Sequence, residues 1–414
     1  MVILAHPTGN SNVRAALRGL ASAGLLEAFF TTLGFSADRG VVRFLPGALR
    51  SEIERRGYRE IPPDRLRLFP WRELVRLSAA RVKLNSLVRH ERGWASVDAV
   101  YRSLDAHVAA QIRKGRVTAQ AVYAYEDGAL ATFRAARERG LQCVYELPTA
   151  YWPTVHRIAE EERDLQPEWA STLQALRDSR DKLERKDEEL RLSGRIIVAS
   201  TFTRSSLEAE RRATAPVHVL PYGAPSASDR PPSAAVHGDP LRVLFVGRLV
   251  QLKGLSYLFE AMARVGACCT LTLLGSQPEL ECKPLASALQ RHTWLAPVPH
   301  ARVLEIMAQH HVLAFPSLIE GFGAVILEAM SRGLPVITTP NTAGPDLIEE
   351  GIDGYIVPIR DADAIAERLT ALAEDRSRLA AMADAARRKA AGLPWERYER
   401  RLAGLMADCV YERR

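Results

Sequence analysis

The chain has 414 residues, of which 47% are hydrophobic and 7% aromatic, and a net charge of +7. That length allows two domains with buried cores, and the composition excludes a fibrous or disordered chain. No apolar run approaches the length of a membrane span, and Cys143, Cys268, Cys269, Cys282 and Cys409 show neither disulfide nor metal spacing. The opening MVILAHPTGN is broken too soon to read as a signal peptide, so a reducing cytoplasm is the expected setting. The charge surplus is uneven. Residues 1–240 carry 36 Lys and Arg against 29 Asp and Glu, while residues 241–414 balance at 20 each. An acidic partner of the first part is one reading, and plain solubility is the other.

Val2 to Ala5 is an apolar strand, broken by His6 to Asn12, and Val13 to Phe30 has helical periodicity. Strand, Gly-containing loop and helix is how an open α/β domain begins, with ligands at that turn, so Gly9 and its neighbours form a candidate cleft wall. Arg50 to Gly93 is basic and mostly helical in pattern. Within it Trp71 to Val88 alternates apolar residues with Arg72, Arg76, Arg81 and Lys83. Such a helix lies on an anionic membrane or packs its apolar face on its own core. Ala121 to Tyr125 and Gln142 to Leu147 are strands around a helix, the β–α–β pattern of a parallel sheet. Glu126, Asp127 and Glu146 fall at strand C-termini, facing the crevice, or else serve as caps and structural hydrogen-bond acceptors.

His156 to Leu192 reads as a solvated helical pair rich in i,i+4 charge pairs. Arg195 to Ser200 and Val217 to Tyr222 are strands. Gly223 to Pro240, GAPSASDRPPSAAVHGDP, is the best linker. A second α/β domain starts at Leu241. Its strands are Arg242 to Val246, Thr270 to Leu274, Trp294 to Val298 and Val312 to Phe315, and Asp361 to Ala391 and Trp395 to Arg414 are helical.

Phe315 to Thr339, FPSLIEGFGAVILEAMSRGLPVITT, organises this half. Glu320-Gly321-Phe322-Gly323 opens a helix that Gly333 stops. Glycines at the mouth of a helix suit a phosphate site, because the backbone can approach and the free N–H groups favour negative charge. Glu320 and Glu328 are poor phosphate ligands but good acceptors for sugar hydroxyls. The plain alternative is a strand–loop–helix unit with two solvated glutamates.

Gly247-Arg248-Leu249, Lys253-Gly254, Gly275, Phe315-Pro316-Ser317, Glu320-Gly321-Phe322-Gly323 and Glu328 occur in this order in one domain. The ordered set resembles the donor half of retaining glycosyltransferases of family 4, strongly over residues 241–358 and more weakly over 1–222. The resemblance implies a GT-B fold: α/β, two Rossmann-like domains with parallel sheets facing a central cleft. It divides the chain into an acceptor-side domain at 1–222, a linker at 223–240 and a donor domain at 241–394, with helix 395–414 packing back on the first domain. It implies transfer of a sugar from a nucleotide diphosphate sugar to an acceptor hydroxyl, with no metal and no cofactor beyond the donor substrate. Arg248 and Lys253 would stabilise the leaving diphosphate, with backbone groups at Gly247, Gly275, Gly321, Phe322, Gly323 and Ala324 lining the donor site. The position matching Glu320 contacts the donor sugar, and the one matching Glu328 the ribose.

The first half departs from the family. Many members end the strand equivalent to Gln142–Leu147 in a His, and here the run is VYELPTAYWP. Glu146 is the nearest polar candidate and Asp127 the alternative, ahead of His6 and His156. The expected partners are a nucleotide sugar and a glycan, lipid-linked or small-molecule acceptor, with peripheral membrane contact through residues 50–92 at the inner membrane face. Nucleic acid is not expected, since the basic residues lack interleaved aromatic platforms. A same-fold phosphorylase or epimerase, or a non-catalytic nucleotide-sugar binder, stays open as the alternative.

Overall fold

A computed structural model describes residues 1–34, 56–210, 214–228, 238–278 and 280–411. The runs VILA, AVYAY and LRVLFV have no polar alternation, as expected of strands covered on both faces. They become β1 (Val2–Ala5), β4 (Ala121–Tyr125) and β8 (Leu241–Val246), each central in its sheet. The first sheet adds β2 (Leu26–Thr31), β3 (Leu66–Leu68), β5 (Gln142–Leu147), β6 (Arg195–Val198) and β7 (Val217–Val219), in the order β3-β2-β1-β4-β5-β6-β7. The second adds β9 (Cys269–Leu274), β10 (Thr293–Leu295), β11 (Val312–Phe315), β12 (Val336–Thr338) and β13 (Gly354–Ile356), in the order β10-β9-β8-β11-β12-β13. The pairings are parallel throughout both sheets. In such sheets ligands gather beyond the strand C-termini, where the order reverses.

Three sequence expectations change. The helix expected over Val13 to Phe30 stops early: α1 runs Ser11–Ser22, and Leu26–Thr31 is strand β2. Gly24 takes a left-handed φ of 66°, which ends the helix, and LEAFFT then pairs beside β1. The helix expected over Asp361 to Ala391 is two helices, Ala362–Glu374 and Arg376–Ala391, each opened by an Asp side chain that accepts a backbone N–H. Asp375 therefore works as an N-cap inside what reads as one apolar repeat.

The third change is at 156–192. Two helices form, α5 (Trp152–Leu165) and α6 (Arg180–Leu192), but they are not simply solvated, because Glu162, Lys182, Lys186 and Glu189 are buried. α5 leaves the first sheet and packs on the second domain's core through Ile158, with Trp169 just beyond it. Glu162 there is fully buried. It accepts hydrogen bonds from Gln251 Nε2 (2.6 Å), Tyr257 Oη (3.0 Å) and Arg360 Nε (2.8 Å). The expected 223–240 linker is described only at its ends, where Ala224 bridges Pro394. From there the helix Trp395–Tyr411 returns to the first domain and seats Tyr398, Leu402 and Met406 against Val13, Leu17 and Leu20 of α1.

The basic stretch begins at residues 50–55, which lie outside the described residues. Beyond them α2 (Trp71–Arg81) leaves Trp71 67% and Leu74 44% exposed, so these two are not core residues. No helix among the described residues is long and apolar enough to cross a membrane.

Glu162→Ala leaves Arg360 without its buried partner and Gln251 and Tyr257 without their acceptor. The expected loss is roughly 3–5 kcal/mol of folding stability, read as a lower urea midpoint.

Candidate active site

The loop after β11 forms the centre of the site. Gly321 cannot carry a side chain, because a Cβ there would run into the Pro148 carbonyl oxygen at the end of β5. Its own carbonyl accepts hydrogen bonds from Ser200 Oγ (2.5 Å) and Thr203 Oγ1 (3.1 Å). Gly321 is thus a bolt between the two domains. Phe322 is buried and meets Tyr222 edge-on at 4.9 Å. Gly323 has a left-handed φ of 79° and is the N-cap of the helix Ala324–Ser331, where Ala324 is exposed. That helix offers free N–H groups and its positive end to an anion.

Two cations stand beside it. Arg248 follows β8, is exposed, and has no described ion-pair partner. Lys253 precedes the helix Leu255–Val265, touches the Glu320 carboxylate and lies over the Phe315 ring at 5.6 Å. Burial and the neighbouring Arg248 charge pull the Lys253 ammonium down to about 8, with the Glu320 contact working the other way. Gly247 and Gly275 press together where β8 and β9 end, since a Cβ on Gly275 would strike the Gly247 carbonyl oxygen. Glu328 accepts from His300 Nε2 at 2.9 Å, and that contact raises the His300 pKa.

The first domain supplies the opposite wall. A cavity of about 240 Å³ is enclosed by Asn10, Asn12 and Tyr222 on one side and His300, Ala324 and Glu328 on the other. Glu146 lies beneath this wall and is 1% exposed. Tyr123 Oη donates to its Oε2; Tyr222 Oη (2.6 Å) and Asn12 Nδ2 (3.3 Å) donate to its Oε1. Burial raises the Glu146 pKa, opposed by those donors. The carboxylate therefore braces Asn12 and Tyr222 rather than opening to solvent. Gly9 sits against the Tyr58 ring, which a Cβ would strike.

Asp127 is elsewhere. Its carboxylate faces Lys182 (3.8 Å), Arg185 (3.5 Å) and Lys186 (3.8 Å) of α6. Its neighbour Glu126 pairs with Lys186 at 3.1 Å. Buried Glu189, raised to about 8, accepts the backbone N–H groups of Asp127 and Ala129. His6 is buried at the end of β1, driven to about 4 by desolvation, and His156 lies on α5 against Trp152. Ala324 and Glu328 thus line the cavity and Glu146 supports its far wall; Lys253 and Glu320, with the Arg248 charge acting on Lys253, form a separate group against Gly323 and Phe315, and Asp127 belongs to another ion-pair network. Sequence reasoning missed Tyr222 and His300. Tyr222 lies three residues past β7, just before the linker, and His300 opens the helix His300–Met307; neither position has a motif of its own.

Residues 240–375 match the family model described as Glycosyl transferases group 1. The amylovoran biosynthesis glycosyltransferase AmsK of Erwinia amylovora is 30% identical over 168 residues, covering 37% of this chain and 41% of that protein. A D-inositol 3-phosphate glycosyltransferase of Corynebacterium urealyticum is 32% identical over 183 residues, covering 39% and 41%. The alignments thus span about two fifths of these curated relatives. Sucrose-phosphate synthase from Thermosynechococcus elongatus superposes with a TM-score of 0.70 at 16% identity, over 98% of both chains. Anabaena HepE in complex with UDP superposes at 0.63 and 17%, over 98% of this chain and 99% of that one. The fold is GT-B.

With Lys253 titrating near 8, binding of inorganic pyrophosphate should weaken as pH rises through that value, because the deprotonated amine loses its charge. Calorimetric titration at pH 7 and pH 9 reads this. Lys253→Met should bind weakly at both and flatten the pH dependence.

Proposed function

We propose that the protein is a retaining glycosyltransferase that moves a sugar from a nucleoside diphosphate sugar to an acceptor hydroxyl without a metal. One observation carries the reading. Lys253 touches Glu320 over the Phe315 ring and feels the Arg248 charge, and Gly323, packed against Phe315 and Glu320, opens the helix 324–331, whose Ala324 and Glu328 line a cavity walled on its other side by the first domain. The match of residues 240–375 to a glycosyltransferase family and the titles of the relatives support it.

In this reading the diphosphate lies across Arg248, Lys253 and the amides from Gly323 onward. As the glycosidic bond breaks, negative charge grows on the leaving phosphate, and fixed donors stabilise it more than they stabilise the ground state. Lys253 and Glu320 touch each other. A bound donor would part them, the ammonium turning to phosphate and the carboxylate to a sugar hydroxyl. Glu328 would exchange His300 for the ribose hydroxyls. The leaving phosphate can take the acceptor's proton, so Glu146 need not act as a base. Its place beneath Asn12 and Tyr222 suits a role in holding the acceptor wall. HepE, crystallised with UDP-glucose, makes UDP-glucose the first donor to try.

Lys253→Ala should lower turnover by about 100–1,000-fold with little change in melting temperature, as loss of one such donor group does. Donor-dependent release of nucleoside diphosphate measures it, and wild-type turnover in the variant would remove Lys253 from the chemistry. Glu320→Ala should lose activity yet keep affinity for free nucleoside diphosphate, which has no sugar. Glu328→Ala should weaken both ligands, because both carry the ribose. Equal weakening by both variants in a binding titration would overturn these two roles.

A further inference from the structure

A second concave surface opens at the C-terminal ends of β3 and β2, on the same side of the first sheet as the cleft. Phe69, Trp71, Arg72, Trp94, Arg102 and His107 line a groove of about 760 Å³. Three features set it apart from ordinary surface. Its two tryptophans are not used for core packing, since Trp71 and Trp94 are 67% and 51% exposed. Its wall is braced: the Arg72 guanidinium lies over the Trp94 ring at 4.6 Å and donates to the Trp94 carbonyl, while His107 stacks on Phe69 at 4.3 Å. Its charge has one sign, because no acidic side chain is among its described lining residues and Arg102 is exposed with no described partner.

Flat aromatic faces beside guanidinium groups suit a ligand with apolar ring faces and anionic substituents. Aromatic rings cover the C–H faces of sugars at little entropic cost, and Arg matches carboxylate or phosphate with two parallel hydrogen bonds. The groove and the first-domain wall of the cleft lie along the same C-terminal edge of the first sheet, beyond β3 and beyond β1. Arg102 follows Tyr101 on the helix Val97–Arg113, and Tyr101 meets the ring of His6 at 5.9 Å, where β1 ends in the cleft wall. We propose that this groove binds the acceptor as an anionic oligosaccharide, holding sugar units upstream of the hydroxyl that reacts. This rests on the glycosyltransferase reading above and names its acceptor class. A membrane surface fits less well, because the site is concave and lined with hydrogen-bonding groups between its rings.

The test needs no donor. Wild-type protein is titrated with a galacturonic acid hexasaccharide, a phosphate-bridged glycan oligomer and neutral maltohexaose, following tryptophan fluorescence. The carboxylate and phosphate arms separate the two sources of negative charge. At least one anionic oligosaccharide should change the emission saturably, and maltohexaose should bind at least tenfold more weakly. Trp94→Ala and Arg102→Glu should each weaken binding tenfold or more at an unchanged melting temperature. Failure of both anionic oligosaccharides would overturn the proposal, as would undiminished binding in the two variants. So would capture by phosphatidylglycerol vesicles or a single-stranded oligonucleotide through these residues without glycan binding. A nucleotide-sugar thermal shift on wild-type protein, run alongside, reports on the donor site alone, so failure of the groove and failure of the glycosyltransferase reading are told apart.

Discussion

The close approach of Gly321 to Pro148 is the contact on which the rest of the site depends. It puts the backbone of the donor loop against the end of the first sheet, and the Ser200 and Thr203 hydroxyls fasten it there. Glu320 precedes that contact by one residue and Gly323 follows it by two, so the same contact fixes where the carboxylate and the helix N-terminus face. A side chain at 321 would push the domains apart and misalign both. The second tie is Glu162, whose three partners all belong to the second domain although α5 follows a strand of the first. Together the two ties set the width of the cleft.

Charge is distributed to serve that geometry. The carboxylates at the ends of β4 and β5 are neutralised where they stand: Glu126 and Asp127 by lysines and an arginine of α6, Glu146 by tyrosine hydroxyls and Asn12. Across the cleft, Arg248 has no described partner and Lys253 has only Glu320. Burial and the Arg248 charge together pull the Lys253 ammonium down to about 8 even though Glu320 touches it. The excess positive charge of residues 1–240 is likewise not spread evenly. Part of it lines the groove at Arg72 and Arg102, where no acid is among the described lining residues.

The turns of the second sheet were legible because their signals are local. Arg248, Lys253 and Gly323 each sit just past a strand or just before a helix that the sequence pattern marks, and consecutive turns of one parallel sheet open to the same edge. The strands were legible for the same reason, as unbroken apolar runs need burial on both faces. Boundaries failed where one residue overrides a longer pattern, as Gly24 does in ending α1 and Asp375 in splitting the last long helical run.

By itself, then, the sequence determined two parallel α/β domains, the second with cations and glycines in order at its turns, because periodicity and turn chemistry act over a few residues. Only the tertiary structure decided which acids face the cleft. Asp127 and Glu146 look alike in the sequence, each at the end of a strand. Packing gives one to the lysines of α6 and the other to a cage drawn from α1, β4 and the segment that follows β7. Tertiary structure likewise decided that Trp71 stays in solvent beside a second groove. Pairing between distant residues depends on how the elements stack, and no local pattern carries that information.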